Sequence, residues 1–214
     1  MQLHKHDVVA AAIAILDGYG IADLTMRRLA RELDITPGAL YWHFASKQQL
    51  LGAVADQLLR PVCAHPGLAA ATDWRRRVAM VCTRMRDALL SHTDGAELVS
   101  ASFAAGQSHG VIEVLGLLAD AAGDAGLDAE HAALAARTLV YYVLGATADE
   151  QSRLQWDAAG ALSDGPAGSP LRPPADPTAG FEFGLRLLID GLATQSAQSV
   201  ADRMLDTFAT VPSA

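Results

Sequence analysis

Only two cysteines occur in the 214 residues, Cys63 and Cys82, and neither stands in a C-x-x-C or Cys/His finger spacing. That excludes a disulfide framework and a structural zinc site, and it fits a reducing cytoplasm. Long apolar runs are lacking too: none approaches the roughly 20 residues that cross a bilayer, so no membrane association is expected. The opening segment, Met1-Gln2-Leu3-His4-Lys5-His6-Asp7, is not a basic stretch ahead of an apolar core, so no secretory signal is expected. Aromatic residues make up 6%, and β-branched and aromatic residues meet only in short stretches, which leaves no strand alternation of useful length. Histidines such as His92, His109 and His131 are scattered singly, the pattern of surface or satisfied core residues. Neither a metal nor a cofactor is expected.

What remains is rich in helix formers. Hydrophobic residues are 51% of the chain, with Ala and Leu recurring densely, and an all-α protein follows. The net charge of −8 argues at first sight against nucleic acid, yet its distribution matters more than its sum. Residues 1–60 hold six basic and six acidic residues, so the acidic excess belongs entirely to the rest. Within the neutral part Arg27, Arg28, Arg31 and Lys47 fall close together, which allows a locally basic face.

Four short helices are expected in the first 60 residues. The first runs from about His6 to Tyr19, ended by Gly20 in a left-handed cap. The second starts at Thr25, whose hydroxyl can cap free backbone amides, and ends at Leu33. Thr36-Pro37 suits the cap and first position of a third. Ser46-Lys47-Gln48-Gln49 has the form of a capping box and opens a fourth that reaches Pro61. Beyond them a long helix is expected from Asp73 through Leu90, then a turn at His92-Thr93-Asp94-Gly95 and helices near 108–123, 128–153 and 178–195. The Gly, Pro, Ala and Ser of 157–177 predict a long mobile loop. The expected domains are 1–60 and 61–214.

Residues 25–44 have the arithmetic of a helix-turn-helix: two short helices joined at Asp34-Ile35. The second helix of such a motif enters the major groove by its N-terminal end, so Thr36, Pro37, Gly38 and Ala39 would face base edges. Tyr41, Trp42 and His43 follow one turn on. Leu24-Thr25-Met26-Arg27-Arg28-Leu29-Ala30, then Leu40-Tyr41-Trp42-His43-Phe44 and Ser46-Lys47-Gln48-Gln49-Leu50, resemble the DNA-binding domain of the TetR family. Its signature reads L-T-x-R-x-L-A, then L-Y-x-H-F-x-x-K-x-x-L. The likeness extends to the tetracycline-repressor branch through Ser91-His92-Thr93-Asp94-Gly95-Ala96, Asp149-Glu150-Gln151 and Phe181-Glu182-Phe183-Gly184-Leu185.

By resemblance, this implies an N-terminal three-helix DNA-binding domain and a larger helical domain for dimerisation and ligand binding. The protein would be a ligand-responsive repressor that binds a palindromic double-stranded operator as a homodimer, its C-terminal helices forming a four-helix bundle with the partner. Occupation of the ligand cavity would shift the fourth helix and change the separation of the two heads. Thr25, Arg27, Arg28, Tyr41 and Lys47 then join residues 36–39, Trp42 and His43 as the DNA-facing set, with Tyr41 and Lys47 on phosphate.

The ligand cavity departs from the tetracycline repressors. The family's magnesium-ligating histidine falls on Val99, and two other drug-contacting positions fall on Cys63 and Val81. Such a site would leave the polar groups of a magnesium chelate unpaired, at roughly 1–3 kcal/mol each. A small, apolar effector, an uncharged or weakly polar aromatic or lipophilic compound, among Cys63, Val81, Met85, Val99 and Phe103 is expected instead. Two alternatives stand beside this reading: an activator or sensor of a protein partner, and a helical-scaffold enzyme using Cys63 with His65.

Overall fold

The computed structural model describes residues 3–161 and 176–209, with side chains throughout these ranges except at 69, 70 and 198–209. Every regular element among the described residues is helical. Helix α1 (Lys5–Tyr19), a 3-10 turn (Ile21–Asp23), α2 (Met26–Glu32) and α3 (Pro37–His43) form a head. Helix α4 (Lys47–Cys63) runs out of that head into a body made of α5 (Pro66–Ala70), α6 (Trp74–Leu90), α7 (Gly95–Ala105), α8 (His109–Asp124), α9 (Ala129–Ala158) and α10 (Pro177–Ala209).

Local chemistry explains the head. The Thr25 hydroxyl accepts from Arg28 N at 3.2 Å and the Thr36 hydroxyl from Ala39 N at 3.2 Å, so α2 and α3 each begin on a side-chain cap. Asp34 takes φ 52 in the joining turn, a conformation Asp tolerates, and Ile35 N closes back on Ala30 O at 2.9 Å. Ser46 caps α4 by accepting from Gln49 N, while the Gln49 side chain reaches back to Ala45 N, one residue before the expected partner. Leu16, Leu24, Leu29 and Leu40 fill the interior, and one hydrophobic cluster runs from them through Leu50, Val54, Leu59 and Val62 of α4 into Val78, Leu89 and Leu98 of the body.

Several boundaries differ from expectation. Gly20 ends α1 with φ 80 and ψ 173, positive in φ but extended in ψ, so it redirects the chain instead of forming a left-handed helical cap. Helix α4 passes Pro61 to Cys63: the proline sits in the last turn, and buried Val62 keeps that turn docked. The expected domain boundary at 60/61 thus lies inside a helix. Helices α5 and α7 had no counterpart in the periodicity. α7 is short, but it buries Ala96, Leu98, Val99 and Ser102. Asp157 and Ala158 belong to α9, so the loop expected over 157–177 starts later, and residues 162–175 of it lie outside the described residues.

Candidate nucleic-acid interface and interior site

The outer face of the head collects the residues the motif singled out. Leu40 of α3 and Phe44 just past its end turn inward, which sends Tyr41 and Trp42 out; Trp42 is 91% exposed. A large aromatic left this open on a seven-residue helix packs against almost nothing among the described residues. Thr36, Pro37 and Gly38 are exposed around the N-terminal end of α3, with Ala39 and His43 half-buried beside them. Only the Thr36 hydroxyl comes within 4 Å of a side chain added at Gly38, so the backbone there is open to close approach.

The basic residues divide in a way their spacing did not reveal. Arg28 donates to Asp23 Oδ1 at 2.5 Å and lies 3.7 Å over the Tyr19 ring, so its charge is held within the head. Arg27 and Arg31 are exposed along the same groove, beside Thr25, and neither makes an ion pair among the described residues. Lys47 occupies the first position of α4 and is half-buried, also without an ion pair there. Among the four, Arg28 alone has its charge paired among the described residues.

The five residues expected around a ligand join one core at different depths. Val81, Met85 and Val99 are essentially fully buried where α6 meets α7. Phe103 lies half-buried at the end of α7, 4.9 Å beneath the Arg137 guanidinium and 5.6 Å from the Tyr141 ring. Cys63 lines a separate pocket of about 250 Å³ with Asp56, Arg60, His109 and Glu113, its Sγ 3.9 Å from Gly110 O. Burial, reinforced by Glu113, pushes that thiol up to about 12. His65 does not serve it as a base; its Nδ1 accepts from Gly67 N at 3.0 Å and caps α5.

Sequence reasoning missed two hydroxyls in this interior. Ser102 on α7 and Thr147 on α9 are buried, and neither side-chain oxygen has a hydrogen-bond partner among the described residues. Nothing in the pattern marks them, since Ser and Thr in helices usually find a carbonyl one turn back. Nearby, Arg86 is buried in a bidentate pair with Glu150, at 2.9 and 2.8 Å, and reaches Thr178 Oγ1 at 3.3 Å. A groove of about 390 Å³ between α9 and α10 lies against this pair, lined by Tyr142, Glu150, Leu154 and Phe181. No group of three or more His, Cys, Asp or Glu among the described residues could hold a metal ion, and no described helix is long and apolar enough to cross a membrane.

A capped helix-turn-helix with an exposed aromatic recognition face, carried by a larger all-helical body, defines a DNA-binding regulator. The chain belongs to the tetR family of bacterial regulatory proteins: residues 8–54 match that family's DNA-binding part, and residues 66–196 match the tetracyclin repressor-like C-terminal domain. Among its relatives is the class A tetracycline repressor protein from transposon 1721 of Escherichia coli, 33% identical over 201 residues that cover 90% of this chain and 91% of that one. The crystal structure of Mycobacterium smegmatis BioQ is similar at 60% identity and a TM-score of 0.81, covering 90% of this chain and 99% of that one. A further BioQ structure, with its natural double-stranded DNA operator, is 57% identical with a TM-score of 0.75 over the same shares.

Proposed function

We propose that this chain is a homodimeric repressor that reads a palindromic operator with residues 1–60 and is released when a small, weakly polar effector enters residues 61–214. It works where the operator is, in the bacterial cytoplasm, and carries out no catalysis. The observation behind the DNA reading is the α3 face. Thr36, Pro37 and Gly38 leave room for base edges, Trp42 stands free, and Arg27, Arg31 and Lys47 supply uncommitted positive charge around it. Phosphate contacts of that kind position a protein, and base contacts specify the site.

Dimerisation is supported by the apolar residues that α9 and α10 leave in solvent. Leu134, Tyr141, Leu154, Phe183 and Leu187 are each more than half exposed, a seam that a second α9/α10 pair would bury. The effector reading draws on the apolar burial of Val81, Met85 and Val99 and on the buried Ser102 and Thr147 hydroxyls, which are unpaired among the described residues. Selecting bound sequences from random DNA tests the proposal. A two-fold palindrome with half-sites about 34–36 Å apart, or a multiple of it, is the expected outcome. Recovery of unrelated sequences would defeat it.

A further inference from the structure

The head is joined to the body covalently by α4, but a second connection, built of hydrogen bonds, bypasses that helix. We infer that Asp94, Asp17, Gln151 and Gln155 are positioning residues that tie the head to α9 through the turn between α6 and α7, and so set the angle at which the head meets DNA. The inference rests on the homodimeric, operator-binding reading above.

The chain of contacts begins on α9. Gln151 is 8% exposed and spends its whole amide on the turn: Nε2 donates to Leu89 O at 3.0 Å and His92 O at 2.7 Å, and Oε1 accepts from Ala96 N at 3.1 Å. One side chain thereby clamps both ends of the α6–α7 connection. One turn further along α9, Gln155 Nε2 donates to Asp94 Oδ1 at 2.5 Å. Asp94 occupies the cap position of α7 with φ 53, yet its carboxylate caps nothing there. The other oxygen, Oδ2, accepts instead from Ile21 N at 2.9 Å, in the head.

The neighbouring residues repeat the pattern. Thr93 donates through Oγ1 to Asp17 O at 3.0 Å and through N to Asp17 Oδ1 at 3.3 Å, while His92 Nδ1 lies 3.1 Å from both Asp17 carboxylate oxygens. On the head side the groups engaged include the Asp17 carbonyl and the Ile21 amide, so the backbone at the end of α1 is itself held. Gly20 permits the approach, because a β-carbon there would lie 2.6 Å from Asp94 Oδ2. A body attached at one point can hinge; a second attachment, at the far end of α1, removes that freedom. Helix α9 also carries the outward apolar seam and the unpaired Thr147, so a displacement of α9 reaches the head through Gln155, Asp94 and Ile21 without passing along α4.

Asp94→Asn tests this with little change of shape, since Asn also tolerates positive φ but offers one acceptor oxygen where Asp94 serves two donors. Gln155→Leu removes the α9 end and leaves the turn itself intact. Affinity is measured for the selected palindrome and for the same palindrome with one base pair inserted between its half-sites, each across a salt series. Wild type discriminates between the two because its heads are held at a set separation. Both variants are expected to lose at least about fivefold of that discrimination, the lower end of ordinary coupling between sites, with the salt slope unchanged. A purely structural role would lower both affinities together. Discrimination equal to wild type in both variants, or a parallel loss on both operators, overturns the inference and leaves the operator-binding reading standing. If Asp94→Asn does not fold, Gln155→Leu decides alone. Failure of wild type to bind any palindrome overturns both.

Discussion

Arg27 falls on the arginine of the family signature and Arg28 on the variable position after it; in the structure what separates these adjacent, chemically identical side chains is whether a carboxylate lies within reach. Asp23 and the Tyr19 ring hold Arg28, while Arg27 makes no ion pair among the described residues. Arg27→Ala and Lys47→Ala should each weaken binding to all DNA sequences alike and lower the salt slope by about one, whereas Arg28→Ala should leave the slope nearly unchanged. Filter binding across a salt series reads this, and equal slopes for the two arginine variants would show that Arg28 leaves Asp23 on binding. Replacing Thr36 or Ala39 should instead shift preference among operators. At Cys63 the pKa is raised from 9.0 to about 12, so the protonated thiol persists well above neutral pH and thiolate forms only as pH rises towards that value. Alkylation by iodoacetamide at pH 8 should therefore run more than about tenfold slower than for a free cysteine, measured by mass spectrometry.

At the scale of elements, one face of α4 is held against the start of α8 by close approaches that only particular residues permit. A β-carbon at Gly52 would fall far inside van der Waals contact with the carbonyl of Gln107, in the turn before α8. Gly52→Ala should cost about 1–3 kcal/mol in urea unfolding, the usual range for overpacking. Four residues on, Asp56 Oδ1 accepts from Ser108 Oγ at 2.7 Å and Gly110 N at 2.8 Å, so a carboxylate on α4 helps cap α8. Helix starts were legible because their signals are local: Thr25, Thr36 and Ser46 each cap the helix that their own next residues form. Helix ends were less so. Whether α4 stops at Pro61 depends on what Val62 packs against, and whether 95–105 is helical depends on burial of Ala96, Leu98 and Val99. Neither is written in the segment itself.

For the whole molecule, the seam on α9 and α10 carries the strongest expectation. Phe183→Glu with Leu187→Glu should give a monomer by analytical ultracentrifugation at micromolar concentration, and operator binding should fall with it because the paired heads are lost. If, as the resemblance implies, Val99 takes the position of the tetracycline repressors' metal-ligating histidine, magnesium with tetracycline at micromolar drug should not release operator; release in a fluorescence polarisation assay would contradict the weakly polar effector. The sequence by itself determined the all-helical fold, the helix-turn-helix and the family, because these rest on composition, caps and a dense local motif in residues 24–50. Only the tertiary structure decided which arginine is free, that Ser102 and Thr147 are buried without partners among the described residues, and that Asp94 meets Ile21 across 73 positions of the chain. The physical reason is the same in each case: a cap or a recognition helix is specified by neighbours along the chain, whereas the fate of a charge or a hydroxyl is set by distant groups that the fold brings beside it.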